Sequence, residues 1–162
     1  MGAVSDDRSV LAARAWAALL AAHAALVPRL DQLLLQATGT PLSWYDVMHE
    51  LAAAPDGRVT MGELGQRVVL SRTRVSRIVT ELGAAGLVSR EDNPDDGRSA
   101  FATLTADGVA RYRAAAPRYL EAIENQFADG LTNAELDAIA TALRKAARRH
   151  PVPVALTPRV SR

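Results

Sequence analysis

One stretch of the chain carries two distinct patterns side by side. Val75, Ile78, Val79 and Leu82 fall at i, i+3, i+4 and i+7, which is one apolar stripe of a helix. At 100° per residue, Thr73, Ser76, Arg77 and Thr80 point the other way, with Arg74 on the flank and Arg72 in the first turn. Ser71 is placed to cap this helix and Gly86 to take the left-handed position just past its end. Ahead of it, Thr60-Met61-Gly62-Glu63 has capping-box spacing and predicts a short helix with Leu64 and Val68 inward. Gly65 on that helix marks a point where another helix can approach closely. Behind it, Leu87–Arg90 and Ala100–Leu104 read as strands, joined through Asn93-Pro94-Asp95-Asp96-Gly97, whose Asn-Pro and Asp-Gly dipeptides are turn signals. Thr60 to Thr105 is therefore helix, turn, helix and hairpin, with a short strand at Arg58–Thr60.

The flanks are more apolar than one small lobe requires. A helix from about Ser9 to about Gln36 carries Trp16, Leu19, Leu20, Leu26, Leu30, Leu33 and Leu34, nearly all round. Such a helix is buried on more than one side, and in a chain of 162 residues the second side is most simply another subunit. Pro28 is expected to kink or divide it, Met1–Arg8 to be a frayed lead-in, and Thr38-Gly39-Thr40-Pro41 to end it. Ser43 is the expected cap of a second helix, Trp44 to about Ala54, with Trp44, Val47, Met48 and Leu51 inward, and Pro55-Asp56-Gly57 is a turn. After the hairpin, Thr105 caps a helix over about Ala106–Ala128, in which Pro117 demands a kink or a break. Thr132-Asn133-Ala134-Glu135 opens a last helix to about Arg149 through Leu136, Ile139, Ala140 and Leu143. The cations from Arg144 to His150 complement that helix's dipole, with DNA contact as the alternative. Pro151–Arg162 holds three prolines and reads as an extended tail.

Composition narrows the function classes. The chain is 49% hydrophobic, much of it alanine, and only 4% aromatic, which favours close-packed helices. A net charge of +1 says nothing about nucleic acid globally, so only a local patch can. Cysteine is absent, which removes thiol catalysis and disulfides and fits a cytoplasmic setting. Asp6, Asp7 and Arg8 ahead of the apolar run argue against a secretory signal. Arg14 and His23 interrupt Leu11–Val27, leaving it too short and broken for a membrane span. His23, His49 and His150 sit on different elements without ligand spacing, so no metal is expected. No phosphate loop or nucleophile motif is present, so neither catalytic residues nor a cofactor are expected.

The local patch exists. From Arg67 to Arg90 there are five arginines and one acid, Glu81. Arginines and small hydroxyl residues at the start of a helix suit a major groove: arginine pairs bidentately with guanine, and Ser or Thr bonds bases or phosphates.

The order of elements and three junctions together resemble the MarR family of bacterial regulators. Leu82-Gly83-Ala84-Ala85-Gly86-Leu87-Val88-Ser89-Arg90 is similar to that family's Leu-to-Gly-Leu-Val-x-Arg junction. Asn93-Pro94-Asp95-Asp96-Gly97-Arg98 resembles its wing, and Leu104-Thr105-Ala106-Asp107-Gly108 its Leu-Thr-x-x-Gly helix start. The resemblance implies a mainly α fold. Residues 43–105 would form a winged helix-turn-helix DNA-binding lobe, three helices plus a two- to three-stranded β wing. Residues 9–36 and 106–149 would form the dimerisation helices, and 151–162 the tail.

It further implies a sequence-specific regulator of double-stranded DNA, a ligand-responsive repressor that binds a pseudo-palindromic operator as a homodimer. Ser71, Arg72, Thr73, Arg74, Ser76 and Arg77 would face the major groove. Arg98 would reach the minor groove or its phosphates, held by Asp96, unless that pair is only a salt bridge shaping the loop. Glu91, Asp92, Asp95 and Asp96 make the wing acidic, which reduces its expected pull on phosphate. A small aromatic or phenolic effector is implied between the lobes, with Arg14, Trp16, His23, Trp44, Tyr45 and His49 as candidates. Core packing is the alternative for each. Two other functions stay open: a winged-helix protein-interaction module, and a small-molecule-binding protein without DNA readout.

Overall fold

The computed structural model describes residues 3–54, 57–68, 70–94 and 99–148. Its elements in chain order are α1 (Ala3–Thr38), α2 (Leu42–Ala53), β1 (Arg58–Thr60), α3 (Met61–Arg67), α4 (Arg72–Ala84), β2 (Val88–Asp92), β3 (Ala100–Leu104), α5 (Ala106–Ile123), a short π-helical stretch (Glu124–Ala128) and α6 (Asn133–Ala147). The strands form one antiparallel sheet in the order β1-β3-β2, with Val59 opposite Ala102 and Arg90 opposite Ala102 from the other side. A mainly α fold with a three-stranded wing is thus what the chain adopts.

Local chemistry starts most of these elements where the sequence places them. Thr60 and Glu63 form a reciprocal capping box on α3, and Thr132 and Glu135 form another on α6. Ser71 Oγ accepts from Arg74 N at 3.3 Å and Thr105 Oγ1 from Gly108 N at 3.0 Å. Gly86 takes φ +73° beyond α4, a conformation that only glycine adopts without strain.

The main core lies between α2, α3, α4 and the sheet. Met48, Leu51, Leu64, Val75, Val79 and Leu82 are essentially inaccessible there. Each such side chain contributes about 1.5–3 kcal/mol on burial, so the helix-turn-helix is anchored by one face of each of its helices. A second cluster joins Leu30 and Leu34 of α1 to Leu42 and Tyr45 of α2 and Ala115 and Ala122 of α5. It is the seam between the DNA-reading lobe and the long helices.

Several expectations about the long helices need correction. Pro28 neither divides nor ends α1, which runs unbroken from Ala3 to Thr38, so residues 3–8 are helix and not a frayed lead-in. A proline removes one backbone donor and crowds one carbonyl, and the alanine- and leucine-rich flanks carry the helix across that single defect. Pro117 likewise sits inside an unbroken α5, and the irregular turn comes only after Ile123. Ser43 does not cap α2. That helix begins at Leu42 behind Pro41, which makes no side-chain cap, and the cap comes from Asp31 of α1. The unbroken Asp7–Thr38 segment is also long and apolar enough, by length and composition alone, to cross a membrane, and so is longer than the Leu11–Val27 run.

The N-terminal part of α1 and the whole of α6 find little to pack against within one chain. Val10, Leu11, Trp16, Leu19 and Leu20 are exposed, Trp16 by 60%. No residue of α6 is buried, although Leu136, Ile139 and Leu143 line one side of it.

Candidate nucleic-acid interface

The α4 helix divides cleanly. Val75, Ile78, Val79 and Leu82 are buried in the core, so Ser71, Arg72, Thr73, Arg74, Ser76 and Arg77 are left on the outside, all exposed. No acid sits in the first turn of α4, so the partial positive charge of its N-terminus is not offset there. Gly65 of α3 meets the start of α4 closely: a Cβ at that position would lie 3.2 Å from Arg72 Cγ. A side chain there would press on the Arg72 stem, while the Arg72 backbone lies at ordinary contact distance, 3.9 Å.

The outer face is organised by one carboxylate. Arg77 Nε donates to Glu81 Oε1 at 2.8 Å, and Trp44 Nε1 of α2 donates to Glu81 Oε2 at 3.1 Å. These two bonds, that from Arg77 first, hold the Glu81 carboxyl below its usual range. No motif in the sequence marks Glu81 or ties it to Trp44, because the two are 37 residues apart. Thr80 Oγ1 turns back on the Ser76 carbonyl at 2.9 Å, so it serves the helix itself.

The wing follows α4 in the chain. Its β2–β3 ladder runs from Val88 opposite Leu104 to Asp92 opposite Ala100, and Asn93 Nδ2 donates to Ser99 Oγ at 2.8 Å at the end of the hairpin. Asp95, Asp96, Gly97 and Arg98 lie outside the described residues, and with them the expected Asp96–Arg98 pair. His150, Arg149 and the 151–162 tail lie outside as well.

The six ligand candidates are not brought together. Arg14, Trp16 and His23 are exposed on the N-terminal part of α1. Trp44 is committed to the α4 face. Tyr45 and His49 are buried in a ring stack with Tyr112 and Tyr119 of α5. The closest centroids in it are Tyr45–Tyr119 at 4.8 Å, and His49 Nδ1 shares a 2.8 Å hydrogen bond with Tyr112 Oη. Burial, then the nearby Asp46 charge, pushes the Tyr119 hydroxyl up to about 12. Burial likewise raises Tyr45, so both phenols stay neutral.

An open cleft of about 730 Å³ lies elsewhere, between the end of α1, the turn after α4, and α5, where Thr38, Leu87, Asp107, Arg111 and Arg118 line it. The sequence offered no pattern for it, since its walls come from three separate parts of the chain.

Comparison with known proteins accords with this geometry. A family model described as MarR family matches residues 38–99, the span from the end of α1 through the wing. No curated protein matches the chain. The MarR family transcriptional regulator Sco3205 of Streptomyces coelicolor, solved in complex with DNA, is 31% identical, with 88% of this chain and 89% of that chain covered and a TM-score of 0.76. AbsC, a MarR family regulator of the same organism, is 29% identical over 83% of this chain and 90% of that one, with a TM-score of 0.74. An organohalide-sensing transcriptional regulator in its 2,4-dichlorophenol-bound form shares the fold, at 18% identity and a TM-score of 0.74 over 86% of this chain and 81% of that one. With its winged helix-turn-helix and its likeness to Sco3205 across nearly its whole length, the chain belongs to the MarR family of transcriptional regulators, a family of DNA-binding proteins and not of enzymes.

Proposed function

We propose that the chain is a ligand-responsive repressor that binds a pseudo-palindromic operator as a homodimer, in the cytoplasm, where the chromosome is. The observation that carries this reading is the division of α4: one face is locked in the core, and the other presents Ser71, Arg72, Thr73, Arg74, Ser76 and Arg77. A rigid helix with that outer face fits a major groove. The relative Sco3205 being a DNA complex supports it.

The apolar surplus supports the dimer. Val10, Leu11, Leu19, Leu20 and Leu143 are exposed in one chain, on the N-terminal part of α1 and on α6. Pairing them about a two-fold axis covers that surface and sets two α4 helices about 34 Å apart, one turn of DNA.

Ligand response is supported by the cleft at the lobe seam. A small molecule held there between Arg111 of α5 and the end of α1 would change how the lobes are held only through its differential affinity for the two arrangements. Arg14, Trp16, His23, Trp44, Tyr45 and His49 do not line this cleft and stay candidates for contacts with an effector bound elsewhere, and Arg98 with Asp96 for the minor groove. The organohalide-sensing protein with this fold binds a chlorinated phenol, which makes small phenols the first class to try.

Selection from a random duplex library tests the reading. Enrichment of an inverted repeat with half-sites one turn apart is the expected result, and a pool that stays random overturns it.

A further inference from the structure

We infer that Glu81 is a positioning residue for DNA readout: its carboxylate, held from behind by Trp44 of α2, aims the Arg77 guanidinium on the outer face of α4. The inference rests on the reading of α4 as the helix that enters the groove. It adds to it a residue whose charge is the wrong sign for the task.

Glu81 is the one acid between Arg67 and Arg90. Beside a DNA backbone a carboxylate is repelled by every phosphate, so a face needing only positive potential gains nothing from it. What Glu81 supplies is geometry. An exposed ion pair four residues apart on a helix is weak, because both side chains swing freely and water competes. Here the Arg77 side chain is 80% exposed and that of Glu81 37%, so the pair alone would be such a case. The second bond changes it. Trp44 packs against the main core, and its indole N–H takes the other Glu81 oxygen at 3.1 Å. With one oxygen held by a half-buried ring packed against the core, the other is left as an acceptor for Arg77 Nε at 2.8 Å. Because that bond uses Nε, the two terminal nitrogens of Arg77 keep the fork that pairs with a guanine edge or a phosphate. A guanidinium aimed before binding loses less freedom when it docks, and it docks in one geometry, which favours the right base over the wrong ones.

The test compares binding to the selected operator and to a scrambled duplex of the same length, at several salt concentrations. The proteins are the full chain, E81Q, W44F, R77A and R77A/E81Q. W44F keeps an aromatic ring against the core and removes the N–H donor with part of the indole. If Glu81 aims Arg77, E81Q lowers the operator-to-scrambled affinity ratio by about threefold or more, as expected for directly coupled side chains. Affinity for the scrambled duplex holds or rises, since a negative charge is gone. W44F lowers the ratio in the same direction, and E81Q has no further effect once Arg77 is alanine. A misfolded helix would instead lose the scrambled duplex as well. The inference is overturned if E81Q and W44F leave the ratio unchanged while R77A lowers it, or if E81Q acts in full on R77A. If R77A itself leaves the ratio unchanged, Arg77 does not read DNA, and the parent reading of this residue fails with it.

Discussion

The Asp31 carboxylate of α1 accepts a hydrogen bond from the Leu42 backbone N–H at 2.7 Å, and so caps a helix of the other lobe. The first turn of α2 has no side-chain cap of its own, and Pro41 ahead of it offers none. One carboxylate thus does the work of an N-cap across the lobe seam. Its removal leaves an end of α2 with an unsatisfied donor in a part-buried place. Asp31→Ala is expected to cost about 0.5–2 kcal/mol, the usual cost of losing an N-cap, read as a lower urea midpoint. An unchanged midpoint would mean that water replaces the carboxylate without loss.

Asp46, on the same helix, makes stability depend on pH. Burial, followed by repulsion from Glu50 and Asp31, raises its carboxyl to about 6 from an ordinary value of 3.8. A folded-state value above the unfolded one means that the native state holds its proton more tightly. The contribution is fully present below about 4, fades as pH rises towards 6, and is gone above it. Asp46→Asn, which cannot ionise, is therefore expected to be more stable than the natural protein at pH 7.5, by up to about 3 kcal/mol, and to match it at about pH 3. Urea titrations of both proteins at the two pH values check the sign, and a gap that widens towards acid would contradict it.

Gly108 shows why its motif needs a glycine. Its backbone passes so close to β2's entry that a Cβ would run into the Leu87 carbonyl oxygen, the same oxygen that accepts from Thr105 N at 3.1 Å. The obstacle is backbone, which cannot swing aside. Gly108→Ala is expected to push the start of α5 off the wing, at a cost of about 1–3 kcal/mol, with a lower melting temperature as the readout. Gly130→Ala, where a Cβ meets nothing but φ is +80°, tests backbone strain alone and should cost about 1 kcal/mol.

The dimer reading predicts that a charge on α1 acts at a distance on DNA. Leu20 is 50% exposed in the single chain and lies far along α1 from the seam residues Leu30 and Leu34. Leu20→Glu is expected to give monomers in sedimentation while the circular dichroism of the lobe is kept. Operator affinity should fall by about a hundredfold or more, because two half-sites are no longer bound together. A variant that stays dimeric and binds fully would place the interface elsewhere.

How much the sequence reveals depends on how far apart the cooperating residues are. The capping boxes at Thr60–Glu63 and Thr132–Glu135, the caps Ser71 and Thr105, the Gly86 turn and the Val75–Leu82 stripe were all legible. Each is a contact within one turn, set by helix geometry and local hydrogen bonding. The two-faced α4, and so the candidate DNA-reading residues from Ser71 to Arg77, follows from that same periodicity. At Pro28 and Pro117 neither helix breaks, because a strong local breaking preference was outvoted by long helical flanks.

Only the tertiary structure decided which distant groups meet. Asp31 caps Leu42, Trp44 holds Glu81, and Tyr45 stacks on Tyr112 and Tyr119, because α1, α2, α4 and α5 pack side by side at particular rotations. Tyr45 and His49 are therefore buried in the ring stack at the seam. A different set of residues, Arg111 and Arg118 among them, came to line the cleft. The sequence by itself determined the elements, their buried faces and the basic outer face of α4, since those depend on neighbours in the chain. The supports that orient that face depend on the angle between helices, which no short stretch of sequence contains.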